Sequence, residues 1–483
     1  MKKFARAISL LLVCFMLASL LVACNKPDDK DDGNKPAEDI EYADNLPELD
    51  FKDEIVTVLY WEDNYYDEFG VTQASDDMVQ NAVYYKNVTV EDRLNIKFEY
   101  APTPGNTQNT AAFVQTLKSD ISSGLYDYDI IGCYSLTTAS CATSGLLADL
   151  NKLDYVDFDQ PYWPERLTEE ATILRKLYFA SGDISTSYIY EMYLMFYNLG
   201  MIDDYSGLED PISLAVDGKW TWDKFYELAS VVGGGGDTNS DGVIGDGDLF
   251  GFIGEHGSIC PVFFSADLKM FSHNNMGSIS VDEQCFGSKA DDFISEFNSF
   301  IHSSGEAFMR TGGVKPDLFA DGYTLFYIAR ASEAKTRYAA KDGLEYSILP
   351  MPKYDENQAN YVSTQANGYS LYGISSGCPI MEVADATFEC MASESYRQVT
   401  PVLFETVMKY RYAPTAEASQ VYDIVRETMN FDLSRIFHKA LESKPQYYFK
   451  DCIRDNGNWS ANATSTKKLL NKMIQDVILT PLS

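Results

Sequence analysis

The stretch DTNSDGVIGDGD (residues 237–248) spaces its oxygen-bearing residues as a divalent-cation loop does. Asp237, Asn239 and Asp241 fall at positions 1, 3 and 5, Gly242 allows the sharp turn at 6, Val243 offers a carbonyl at 7, and Asp248 stands at 12. Hard oxygen ligands on a tight loop suit Ca2+, although Asp at position 12 is shorter than the usual bidentate Glu and weakens the grip. A calcium sensor needs a helix on each side to reorient. Here glycines 233–236 precede the loop, and LFGFIG after it reads as a strand. The expectation is a structural Ca2+ loop, with an ion-free surface turn as the alternative. In neither case is the loop the function.

Other reactive groupings are weaker. Glu62 with Asp183 is the pair of carboxylates to consider as the acid and base of a glycan-active enzyme. In a chain with 72 acidic and 38 basic residues such pairs arise by chance. No GxSxG or HExxH motif accompanies them. The nine cysteines form no CxxC pair and the four histidines no cluster, so neither a disulfide framework nor a zinc site is indicated. A net charge of −34 repels phosphate backbones and anionic lipid, which excludes nucleic-acid binding. What the chain has in quantity is flat aromatic surface, 33 Tyr and 27 Phe, available for a core or for stacking on a ligand.

The elements that would position such groups follow from periodicity. EIVTVLYW (54–61), LNIKFEY (94–100) and DYDIIGC (127–133) read as strands separated by helices over 78–93 and 109–123, the second stopped by Gly124. A β-α-β-α-β order implies a parallel sheet with helices on both faces, and ligands bind beyond the carboxyl ends of such strands. Those ends carry Trp61, Glu62, Asp63 and Tyr134. A second block starts at YLMFYNLGMI (193–202). In WTWDKFYELASVV, Thr221 suits the N-cap and Phe225, Leu228, Ala229 and Val232 form one apolar stripe, with Trp220 and Trp222 fastening the helix start to the body. Strands follow at TLFYIAR (324–330), LEYSILPMP (344–352) and YSLYGIS (369–375), and the tail is mainly helical.

The first residues read as an address. Lys2, Lys3 and Arg6 precede an apolar run from Ile8 to Ala23, shorter than the roughly 20 residues a spanning helix needs. Leu21, Val22, Ala23 and Cys24 resemble a bacterial lipobox, which implies a signal peptide over 1–23 and a diacylglycerol on Cys24. Residues 24–50, acidic and Pro-rich, are expected to be a flexible tether.

The lipobox, the tether, the two α/β blocks, the WTWDKFYELA helix followed by the DTNSDG loop, and SILPMPKYDE together resemble bacterial extracellular solute-binding lipoproteins of family 1, the maltodextrin-binding type that serves ABC importers. The resemblance implies an α/β two-lobe periplasmic-binding-protein fold (type II). Lobe one is expected over 51–196 and 353–410, lobe two over 197–352 and 411–483, with crossings near 197–199, 350–352 and 410. It implies capture of a carbohydrate, an oligosaccharide, by a monomer anchored on the extracellular face of the cell membrane, and delivery to a permease. Candidate ligand contacts are Trp61, Glu62, Asp63 and Tyr134, with Asp183, Arg330, Asn367 and Tyr369 added from elsewhere in the chain. Apart from the Ca2+ of the loop, no cofactor is expected. A peptide or amino acid held by Arg330 and Asp183 is the alternative cargo, and an enzyme the alternative class.

Overall fold

Alternating and continuous apolar runs build two sheets in a computed structural model that describes residues 43–203, 205, 208–232, 236–310 and 317–483. The strands are β1 (Glu54–Trp61), β2 (Ile96–Thr103), β3 (Ile130–Tyr134), β4 (Tyr193–Asn198), β5 (Phe250–Glu255), β6 (Phe271–His273), β7 (Ile279–Val281), β8 (Ala307–Arg310), β9 (Thr324–Arg330), β10 (Tyr346–Leu349) and β11 (Ser370–Ile374). The first sheet has the order β11-β3-β1-β2, with β1 parallel to both β2 and β3 and β11 antiparallel to β3. The second has the order β10-β4-β9-β5-β8, with β5 parallel to β8 and β9, and β4 antiparallel to β9 and β10. Strands β6 and β7 form a separate antiparallel pair.

The helices between the first strands form for local reasons. In α1 (Met78–Leu94) the Asp77 carboxylate accepts from the Val79 and Gln80 amides, and Asn95 closes the helix in the left-handed region at φ 50°. Helix α2 (Thr110–Ser123) buries Phe113 and Leu117 and ends at Gly124, whose φ of 74° explains why glycine stands there. Helix α3 (Ser135–Thr143) follows β3 directly. In the second lobe, α4 (Trp222–Val232) buries the expected stripe. Trp220 Nε1 donates to the Pro350 carbonyl (3.2 Å) and Trp222 Nε1 to Ser265 Oγ (3.1 Å), which fastens the helix start as anticipated.

The crossings between lobes differ from the expected positions. Strand β4 already belongs to the second sheet, and residues 350–353 stay with that lobe, where the Trp222 amide donates to the Lys353 carbonyl (2.9 Å). The chain crosses at 191–193 and returns at 363–367. There the Tyr193 amide donates to Thr364 O (2.9 Å) and the Ala366 amide to Glu191 O (2.8 Å). A third segment pairs with the second at 428–430, not near 410: Ser363 N donates to Thr428 O (3.0 Å) and Asn430 N to Ser363 O (2.8 Å). The Pro350 and Pro352 pair, read as a crossing, marks only the point where β10 leaves the sheet edge.

The ordered body also begins earlier than Phe51. Asp44 accepts from both terminal nitrogens of Arg93 (2.8 and 2.9 Å), Arg93 Nη1 also donates to Glu394 (2.8 Å), and Leu46 and Leu49 pack on the core. The signal peptide, Cys24 and the first part of the tether lie outside the described residues. Among the described residues no helix is long and apolar enough to cross a membrane. Residues 381–411 wind in helical turns, the first of them α5 (Met381–Glu394), against α1 and β1 of lobe one; α6 (Ala416–Glu427) packs on β10 of lobe two. Two further helices, α7 (Leu433–Ile436) and α8 (Lys444–Arg454), touch α3 of the first lobe and Cys260–Ser265 of the second, respectively, so the tail serves both lobes.

Candidate ligand-binding cleft

Tyr134 at the end of β3, Glu255 at the end of β5 and Arg330 at the end of β9 line one cavity of about 540 Å3. Lobe one adds Thr107 and Leu136, the crossing segments add Glu191, Asn367 and Gly368, and lobe two adds Tyr327. The tail supplies Arg435, Gln446, Tyr447 and Lys450. A second cavity of about 500 Å3 contains Asp183 and Arg426. None of its lining residues belongs to a strand. The first cavity is therefore the one that the sheet geometry singles out, because strand ends from both lobes converge on it.

The expected contacts divide accordingly. Tyr134, Arg330 and Asn367 line this cavity; the other five do not. Trp61 is 4% exposed, donates from Nε1 to Ser370 Oγ (2.9 Å) and meets Tyr134 edge-on at 5.3 Å, so it backs the cavity-lining ring. Asp63 Oδ2 accepts from the amides of Gly105 (2.9 Å) and Asn106 (3.1 Å), fastening the loop that carries Thr107 to the end of β1. Glu62 is exposed. Asp183 is buried and accepts from Arg426 Nη2 (2.7 Å) and Thr400 Oγ1 (3.0 Å). Tyr369 is buried, and its carbonyl holds the Ser135 amide (2.9 Å). Glu62 and Asp183 thus do not meet in the cleft as an acid–base pair.

Glu191 is the residue that sequence reasoning missed at the centre of the site. It is 2% exposed, and its Oε1 accepts from Arg330 Nη1 (3.1 Å) and from the Tyr66 hydroxyl. Burial raises the carboxyl above its ordinary range, while Arg330 and the Tyr66 hydroxyl pull the other way. A Cβ at Gly368 would stand 2.7 Å from Glu191 Oε2, so only glycine lets the return segment approach this closely. Its one signal in the sequence is a lone acid inside the apolar run YIYEMYLMF. Arg330 also holds Glu333 (2.8 Å), three residues further along the chain, so two carboxylates fix this guanidinium and Glu191 ties it to the crossing segment. Burial drives the Tyr134 hydroxyl well above the ordinary tyrosine range, so it stays protonated and able to donate.

In the loop 237–248 the carboxylates turn onto the loop's own backbone. Asp237 accepts from the Asp241 (3.0 Å) and Gly242 (2.7 Å) amides, and Asp248 from Thr238 (2.7 Å), Asn239 (3.2 Å) and Gly245 (2.8 Å). Asn239 Oδ1 takes the Asp241 amide (2.9 Å), and Asp241 Oδ1 the Val243 amide (2.8 Å). Among the described residues no group of three or more His, Cys, Asp or Glu side chains is placed to hold a metal ion.

No protein-family model matches the chain, and no curated protein matches its sequence. Solved structures match its fold. A sugar transporter protein from Rhizobium etli, in an open conformation, aligns with a TM-score of 0.58 and 13% identity over 88% of this chain and 99% of that one. The galacto-N-biose/lacto-N-biose I-binding protein of an ABC transporter from Bifidobacterium longum, complexed with lacto-N-biose, aligns with 0.58 and 14% over 89% and 98%. A cyclo/maltodextrin-binding protein complexed with maltotetraose aligns with 0.57 and 14% over 87% and 97%. The chain has the two-lobe fold of extracellular solute-binding proteins.

Proposed function

We propose that this chain is the capture subunit of a carbohydrate ABC importer: it binds an oligosaccharide between its lobes and hands it to a membrane permease, with no bond made or broken. The observation that carries the reading is one cavity lined from both lobes, Tyr134 on one side and Tyr327 and Arg330 on the other. A ligand touching both sides favours the closed arrangement by its differential contacts. Tyrosine faces suit the C–H faces of sugar rings, and the Asn367 and Gln446 amides suit hydroxyls.

The test is a thermal-shift panel of mono- and oligosaccharides, amino acids and short peptides on the full chain held in detergent. A hundredfold excess over Kd adds about 2.7 kcal/mol to stability. A shift with an oligosaccharide series supports the reading; a shift with amino acids or peptides alone overturns the cargo. With the ligand identified, Tyr134→Ala is expected to weaken binding by about tenfold or more through loss of a stacking face. Unchanged affinity removes Tyr134 from the site.

Two further elements belong to the proposal. The lipobox supports anchoring through Cys24 on the extracellular face, so fatty-acid labelling should vanish in a Cys24→Ser chain. The loop at 237–248 is proposed as a structural Ca2+ site. Asp237→Ala with Asp241→Ala is expected to abolish the rise in melting temperature that Ca2+ brings to the parent chain and to leave cargo affinity intact. A collapse of affinity would couple the loop to the cleft.

A further inference from the structure

We propose that the cargo is an anionic saccharide, and that Arg435 and Lys450 meet its acid group. The inference rests on the importer reading and narrows its substrate class. Three carboxylates line the cleft and each has a guanidinium: Glu191 has Arg330 (3.1 Å), Glu255 has Arg310 (3.0 Å), and Glu333 has Arg330 (2.8 Å) and Arg337 (3.0 Å). Arg435 and Lys450 line the same cavity at 7% and 8% exposure, and among the described residues neither has a carboxylate within 4.0 Å. Arg435 Nη2 donates to the Gln365 carbonyl and to Asn367 Oδ1 (3.2 Å), and the guanidinium lies by the Phe264 and Tyr193 rings (5.7 and 6.0 Å), but among the described residues the buried Nη1 has no hydrogen-bond partner. Among the described residues Lys450 Nζ has one hydrogen-bond acceptor, the Gly257 carbonyl at 3.4 Å, and lies over the Tyr447 ring at 5.8 Å.

A buried cation without a counter-charge is costly, and an unpartnered N–H on it more so. The arrangement is the more pointed in a chain with 72 acidic and 38 basic residues, where a chance uncompensated charge would be negative. Two features add to the positive field. Ser443, Gln446 and Tyr447 bring the amino-terminal end of α8, an 11-residue helix, to the cavity wall. His438, also in the wall, is held neutral by burial and by Lys450 and Arg435, its pKa pushed down to about 3, so it adds no charge but can donate or accept. A planar guanidinium beside an ammonium fits the carboxylate of a uronic acid or a sulfate ester, and the sugar rings keep the tyrosine faces.

The experiment is calorimetric titration of the full chain in detergent with oligogalacturonides, with sulfated galacto-oligosaccharides, and with unmodified galacto- and malto-oligosaccharides of matched length. One anionic series is expected to bind at least about tenfold tighter than its neutral counterpart, and to weaken between about 50 and 500 mM NaCl. The uronate and sulfate arms identify the acid group. Lys450→Gln is expected to lower that affinity by about tenfold and to flatten its dependence on NaCl. Because Arg435 also holds Gln365 and Asn367, Arg435→Lys, which keeps the charge, is its companion variant and is expected to retain salt-dependent binding. A neutral series that binds as tightly as either anionic one, indifferent to Lys450→Gln, overturns this inference and leaves the importer reading standing. Anionic binding unchanged in Lys450→Gln overturns the residue assignment. Binding by none of the series overturns both readings.

Discussion

Trp61→Ala is expected to cost about 3–5 kcal/mol of stability, read as a lowered urea midpoint at unchanged slope. The indole is 4% exposed in the main core, so its removal opens a cavity the size of a bicyclic ring. Two specific contacts go with it: the bond from Nε1 to Ser370 Oγ (2.9 Å), which ties β1 to the start of β11, and the edge contact with Tyr134. Gly105 closes over the same spot; a Cβ there would stand 2.6 Å from Trp61 Cβ, so the neighbouring loop has no side chain with which to fill the void. Trp61→Phe separates the effects. It keeps most of the apolar volume and an edge for Tyr134 while losing the hydrogen bond, and should cost about 1–2 kcal/mol. Cargo affinity in Trp61→Phe should stay near that of the parent chain. If Trp61→Ala instead leaves stability unchanged and weakens binding alone, the indole is a ligand contact after all.

That contrast shows what local sequence can and cannot carry. Strand β9 coincides with TLFYIAR and α4 with its apolar stripe, because both are set by neighbours one to four residues away. Tyr134 and Arg330 were legible as cleft residues for a related reason: each ends a strand, and strand ends point to the cleft. Trp61 also ends a strand, yet the side of the strand it faces depends on Ser370, 309 residues away. Asp183 had the same fate, since Arg426, 243 residues on, claims its carboxylate. The crossings were misplaced because the pairing of Tyr193 with Thr364 is long-range, and a continuous apolar run such as YLMFY reads alike in either lobe. The cationic wall was invisible for the strongest version of this reason. Arg435 and Lys450 sit on two tail helices, and only the fold brings them beside Asn367 and β9.

Glu191→Ala should be the most damaging change at the crossing between lobes, about 3 kcal/mol of stability, with cleft closure impaired as well. One carboxylate ties together the Tyr66 hydroxyl of lobe one, Arg330 of β9 and the return segment at Gly368. Removing one partner of a buried pair costs about 3–5 kcal/mol; the lower end applies because Arg330 is 42% exposed on its side chain and keeps Glu333. Glu191→Gln isolates the charge. Burial raises the folded-state carboxyl pKa above its unfolded value, so the stability it contributes is fully present below about pH 4.3 and is lost as pH rises through the folded value. The Gln variant has no such titration, and its stability should fall less between about pH 4 and 8 than that of the parent chain. Equal slopes in the two proteins would mean that Arg330 and Tyr66 just balance burial at this carboxylate, so that the crossing is held by an ion pair as favourable in the folded state as hydration is in the unfolded chain.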